Sequence, residues 1–207
     1  MERRQALKNL GFGSMALFTS SVMFGALQGC TSAPTVNWVP VFFNPEEAAQ
    51  LEKVVDGILP KTETPGGLDA GVANHFDAAL ASVYKDREAE YFKRGLSVFV
   101  RNYNASNEAS FDKATTAQMT DAVNAYFKKY EEDPSLMKSY RESSSDEGEK
   151  TDDFVEIYFV TTVVDGSFWS YFTSELVGET VMAYDPIPVK YEGCLPYTPG
   201  QKSWSSV

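Results

Sequence analysis

The side chains that could do chemistry in this 207-residue sequence are few: one histidine, His75, and two cysteines, Cys30 and Cys194. One imidazole cannot build a two-histidine metal site, and the count falls short of a typical structural zinc site. Neither cysteine opens a C-x-x-C-H haem attachment motif. His75 lies between Asn74 and Phe76 on a predicted helix, where a structural or surface role is expected and acid–base work by the imidazole is the alternative. Glu63, Asp69 and Asp77 supply carboxylates for an acid–base pair, yet their positions suit helix caps and solvated faces. Thr173-Ser174-Glu175 offers a hydroxyl with no base near it in sequence, so it reads as a cap-like turn rather than a nucleophile. Gly66-Gly67 lacks both the G-x-G-x-x-G spacing and a preceding strand, so it is not a phosphate loop. Cys194, with Gly193 before it and Pro196 close after, is expected to be a buried loop thiol rather than a redox centre. No catalytic, cofactor-binding or metal-binding residue is therefore assigned, and the chemistry is expected in another chain.

Composition narrows the classes further. Eighteen Lys and Arg against 29 Asp and Glu give a net charge of -11, which argues against nucleic acid as a partner, since phosphates need clustered cations. With 43% hydrophobic and 14% aromatic residues the chain is not disordered throughout, and its length suits one ordinary domain. It is too short to house a nucleotide-binding redox domain beside a substrate domain.

The first 29 residues read as an address. Arg3-Arg4-Gln5-Ala6-Leu7-Lys8 fits a twin-arginine export pattern, and no charge follows from Asn9 to Gly29. Leu27-Gln28-Gly29-Cys30 resembles a lipoprotein box, in which Cys30 is acylated on sulfur and the peptide before it is removed. Cleavage without lipid, or retention of residues 10–29 as a membrane helix, are the alternatives. Lipidation with two or three chains would anchor the protein stably to a membrane. Loss of residues 1–29 removes Glu2, Arg3, Arg4 and Lys8 and takes the charge to about -13. It would also leave Cys194 with no intramolecular disulfide partner.

The elements that must position any site are helical. Residues 30–43, with Pro34 and Pro40, are expected to be a tether, and 44–207 a single helical domain. Asn44-Pro45-Glu46-Glu47 supplies a cap, a proline at the first helical position and an acid three residues after the cap. Apolar residues from Ala48 to Leu59 follow at helical spacing, and Pro60 ends the run. Asp69 is expected to cap a second helix carrying Val72, Phe76, Ala79, Leu80 and Val83 on one face. A third starts at Asp86, with Tyr91, Phe92, Leu96, Phe99 and Val100 as its stripe. Thr115 and Gln118 form a capping box for a fourth, and Asp133-Pro134 opens a short helical turn. Residues 142–153 are acidic and Ser-rich and read as a solvated loop.

Phe154 to Phe172 is the least ordinary stretch: it carries twelve apolar residues with no clear turn. It reads as a helix apolar nearly all round, which must be covered either by the other helices or by a partner. A strand is the alternative for its β-branched half.

Two blocks carry a resemblance. Ile58-Leu59-Pro60-Lys61-Thr62-Glu63-Thr64-Pro65-Gly66-Gly67-Leu68-Asp69-Ala70-Gly71-Val72 is one. Tyr171-Phe172-Thr173-Ser174-Glu175 with Gly178, continuing through Tyr184, Pro186, Pro188, Tyr191, Gly193, Cys194 and Pro196, is the other. In order, they resemble the gluconate 2-dehydrogenase subunit 3 family, the small subunit of periplasmic flavin-dependent sugar and polyol dehydrogenases. Val189 and the acidic insertion around Ser143 depart from its pattern. The resemblance implies a mainly α-helical domain with an irregular Pro-rich tail and a non-catalytic accessory role. It implies a large flavoprotein partner of the glucose-methanol-choline type that holds FAD, and a cytochrome c carrying haem c as a third subunit. The twin-arginine signal would escort the folded flavoprotein out of the cell, and lipid on Cys30 would keep the complex at the periplasmic face of a membrane. Residues expected to touch the partner are Thr64, Pro65, Gly66, Phe168, Trp169, Tyr171, Phe172, Thr173, Ser174, Glu175, Tyr191 and Cys194. The rival readings are a free-standing exported enzyme, in which His75 and Glu63 would matter, and a ligand-binding lipoprotein or adhesin.

Overall fold

The computed structural model describes residues 36–144, 148–185, 187, 194 and 196–204. Arg3, Arg4, Cys30, Tyr191 and the expected signal peptide lie outside them. Among the described residues the chain is mainly α-helical, with seven α-helices, one 3-10 turn and a single isolated bridge, Ala183 to Trp204. The helices are α1 (Pro45–Ile58), α2 (Val72–Ser82), α3 (Asp86–Ser106), α4 (Thr116–Glu132), α5 (Pro134–Ser143), α6 (Asp152–Phe172) and α7 (Glu175–Thr180).

Both expected capping boxes form. Asn44 Oδ1 accepts from the Glu46 and Glu47 amides while Glu47 Oε2 accepts from the Asn44 amide, so α1 starts with its first donors satisfied. Thr115 and Gln118 do the same for α4. α1 lies along α4, where the Thr120 hydroxyl donates to the Gly57 carbonyl at 2.7 Å. α3 packs tightly on α6 at Gly95, where a Cβ would stand 2.2 Å from the Val155 carbonyl oxygen and 2.5 Å from Phe159 Cβ. Only glycine lets the two backbones come so near. The core between them is aromatic: Phe92 meets Phe43, Phe76 and Phe159 at ring separations of 6.3, 5.3 and 5.0 Å.

Several details differ from the sequence reading. The segment before α1 is not a free tether up to residue 43, because Trp38 Nε1 donates to Glu52 at 2.8 Å and Phe43 is buried. The clasp is Asp77, which accepts from the Val41, Phe42 and Phe43 amides at 2.7, 3.0 and 2.9 Å. Asp77 is thus buried rather than on a solvated face. Val83 is 77% exposed, since α2 ends at Ser82 and the chain turns before Val83 reaches the core.

α5 is also longer than a turn, because Leu136, Met137 and Tyr140 pack against the core over ten residues. The acidic stretch is correspondingly shorter. Glu142 and Ser143 end α5, while Asp152 and Asp153 form the first turn of α6, where acids favour the helix dipole. Thr151 caps α6 through the Phe154 amide. Arg94 and Arg101 grip Asp152 at 2.6 and 2.8 Å, and with Arg101 contributing most, they hold its carboxyl below the usual carboxylate range. Lys150 is buried over the Phe154 ring, 4.7 Å from its centre, and donates to the Ser143 carbonyl.

Candidate partner-binding face

The first block folds into a compact loop between α1 and α2. Asp69 does not cap α2, whose N-cap is Gly71 at φ 69°. It instead closes the loop on itself, its Oδ2 accepting from the Gly66 amide at 2.9 Å and its carboxylate pairing with Lys61 at 3.1 Å. The Gly66 amide first and Lys61 second hold the Asp69 carboxyl below its ordinary value. The Gly67 amide donates to the Leu59 carbonyl at 2.8 Å, so both glycine amides have intramolecular partners and neither is free for a phosphate. A Cβ at Gly66 would meet the Lys61 nitrogen at 2.8 Å, which accounts for glycine there. Thr64 is exposed and Pro65 half-buried at the loop's outer edge.

The second block meets the first. The Tyr171 hydroxyl, from the last turn of α6, donates to the Pro65 carbonyl at 2.7 Å, across 106 residues of chain. Ser174 caps α7 by accepting from the Val177 amide and donates to the Tyr171 carbonyl at 2.7 Å. The Thr173 hydroxyl donates to the Trp169 carbonyl at 2.8 Å. Both hydroxyl protons of this turn are therefore held by backbone carbonyls. Glu175 is exposed in the first turn of α7.

The end of α6 is inside out. Ser167 and Ser170 are buried and Gly166 packs on the Phe76 ring, while Phe168, Trp169 and Phe172 are 44%, 61% and 46% exposed. Residues 168, 169 and 172 share one side of the helix. His75, exposed on α2, sets its ring 5.5 Å from that of Trp169. The exposed Leu176 follows on α7. Gly166, Ser167 and Ser170 face inward here beside Tyr171, while three large aromatic residues face outward, the composition of an interface core rather than of ordinary surface. The earlier part of the same helix has the usual sense, with Phe154, Val155, Phe159, Val160 and Val163 buried. The question left open by the sequence, core or partner surface, is thus divided along the helix.

A family model described as gluconate 2-dehydrogenase subunit 3 matches residues 45–189. The chain belongs to the gluconate 2-dehydrogenase subunit 3 family. The match runs through both the 58–72 loop and the 171–178 turn, and ends before Tyr191 and Cys194. Its members are one subunit of a multi-subunit dehydrogenase, which implies partner subunits. No curated protein and no solved structure matches the chain.

Of the residues expected on the partner face of this family member, the fold brings Pro65, Gly66, Tyr171 and the 168–175 segment to one end of α6. Tyr191 lies outside the described residues. Cys194 is exposed, not buried as expected. Glu63, Asp69 and Asp77 do not form a carboxylate pair: Asp69 and Asp77 serve separate backbone amides and Glu63 is exposed. Sequence reasoning missed Glu156, a buried acid in α6 whose signal was a lone charge inside an apolar run. Among the described residues no group of three His, Cys, Asp or Glu is placed to hold a metal ion, and no helix is long and apolar enough to cross a membrane.

Proposed function

We propose that this chain is the non-catalytic small subunit of a membrane-associated, flavin-dependent sugar or polyol dehydrogenase. The inverted end of α6 supports this reading most directly, since three adjacent aromatic side chains stand in water beside a motif loop that Tyr171 ties to them. Its occupant is a large flavoprotein subunit of the glucose-methanol-choline type, carrying FAD, with a cytochrome c as the onward electron acceptor. Arg3 and Arg4 direct export of the folded pair, and Cys30 carries the lipid that holds the complex at the periplasmic face of a bacterial membrane. The short, acidic chain with one histidine fits an escort and anchor better than a free-standing enzyme.

Solubilising the full chain from its native membrane tests this. A yellow, flavin-containing large chain is expected to co-purify with it; recovery of the chain alone and colourless would overturn the reading. Replacing Arg3 and Arg4 together with Lys is expected to stop delivery of the flavoenzyme, and unimpaired delivery would remove the escort role.

A further inference from the structure

About 20 Å along α6 from Trp169, by the rise of a helix, a separate cleft of about 530 Å³ opens between α3, α4 and α6. Glu156 forms part of its lining and is 4% exposed. Asn102 Nδ2 and the Tyr126 hydroxyl both donate to Glu156 Oε1, each at 2.6 Å. Among the described residues Oε2 accepts no hydrogen bond, and Glu156 has no ion-pair partner. Oε2 is not among the buried polar atoms left without a partner, so it opens onto the cleft, where water or the N–H group of a ligand can donate to it.

The surroundings say which ligand suits that oxygen. Phe99, Tyr103 and Tyr126 line the same cleft, and aromatic rings attract cations as well as alkyl groups. The two exposed charges in the lining, Asp121 and Lys129, are opposite in sign, so Glu156 sets the net charge of the cleft. Burial, and then the bond to Glu156, push the Tyr126 phenol far above its ordinary value, so it stays a donor to Oε1 and leaves Oε2 to face a ligand. We propose that this cleft binds an organic cation, an ammonium or guanidinium group whose N–H donors reach Glu156 Oε2 while its alkyl part lies among Phe99, Tyr103 and Tyr126. The cation is either a free small molecule or a Lys or Arg side chain presented by another subunit.

Calorimetric titration of the full chain in nonionic detergent tests this, with n-butylammonium and n-butylguanidinium as probes and 1-butanol as the neutral control. The cations are expected to bind at least about tenfold more tightly than the alcohol. Glu156→Gln keeps an acceptor for Asn102 and Tyr126 but turns an amide donor toward the cleft, and should weaken cation binding at least about tenfold with helicity unchanged. Ala125→Trp fills the cleft from an exposed position and should abolish binding by a route that leaves Glu156 intact. Acetyl-Gly-Arg-Gly-amide separates the sources: binding comparable to the free guanidinium marks a side chain of a partner, and binding of the free cations alone marks a small molecule. Absence of cation binding, equal binding of 1-butanol, or unchanged binding in folded Glu156→Gln or Ala125→Trp overturns the proposal. None of these outcomes bears on the aromatic face at the other end of α6.

Discussion

Trp169→Ala separates a binding role of the inverted face from a folding role. Trp169 is 61% exposed, and of the ~250 Å² a Trp side chain can bury, about 150 Å² is left for a partner. At ~25 cal/mol per Å² that is at most about 4 kcal/mol on association, and central aromatic anchors typically lose about 2 kcal/mol or more on truncation. The expected loss is therefore about 2–4 kcal/mol, or roughly 30- to 1,000-fold in affinity for the large subunit. Stability of the isolated chain should fall by at most about 2.5 kcal/mol, since roughly 100 Å² of the side chain is already buried within it. Among the described residues its one ring contact is with His75, at 5.5 Å. The assay is equilibrium binding of the full chain to the purified large subunit, read beside a thermal melt. Phe159→Ala in the buried part of α6 serves as the opposite control, lowering stability by roughly 3–5 kcal/mol without touching the face. Affinity within about threefold of wild type, with the chain still folded, would refute the argument that the outward aromatics form the contact. A melt lowered as far as that of Phe159→Ala would show that Trp169 is part of the core instead.

Asp77→Asn replaces one of two acceptor oxygens with a donor facing backbone N–H groups, so it should cost about 2–3 kcal/mol in denaturant unfolding. It should also expose residues 36–43 to limited proteolysis, and a change under about 0.5 kcal/mol would mean the clasp is dispensable. Gly95→Ala forces α3 away from a backbone oxygen that cannot rotate aside. The overpacking, about 1–3 kcal/mol, should exceed the helix-propensity gain of at most ~1 kcal/mol and lower the melting temperature; a rise would show that the helices part at no cost. Burial first of all raises the phenols of Tyr126, Tyr130 and Tyr158 above their ordinary value of 10.0. Above that pH the unfolded chain releases these protons while the folded one keeps them, so stability present below pH 10 should fall as pH rises. Unfolding free energies measured from pH 8 to 11 should show that decline, and Tyr126→Phe should make it shallower.

Local chemistry was the legible part. The Asn44 and Thr115 boxes are satisfied within four residues of chain, so the cap residues alone announced where α1 and α4 begin. The length and apolarity of 154–172 likewise implied one long helix without reference to its neighbours. Roles that depend on distant chain were not legible. Asp77 looks like any acid on a helix, and its three amide donors come from 34 to 36 residues upstream. Asp69 has the form of an N-cap, but the turn at Gly66 offered a closer amide. Leu136, Met137 and Tyr140 extended α5 only because a core stood ready to receive them.

By itself, then, the sequence determined the helices, their caps, the shortage of catalytic side chains and the two motif blocks of the family. It could not determine which side of α6 faces inward. A helix apolar nearly all round has no preferred face, so its rotation is set by the neighbours that approach it. Here the Phe76 ring takes the place of a side chain at Gly166, and α3 closes on Val155 and Phe159 at Gly95. Those two close contacts place Ser167 and Ser170 inside. The rings of Phe168, Trp169 and Phe172 are thereby turned to the outside, where only the tertiary structure reveals them as a surface.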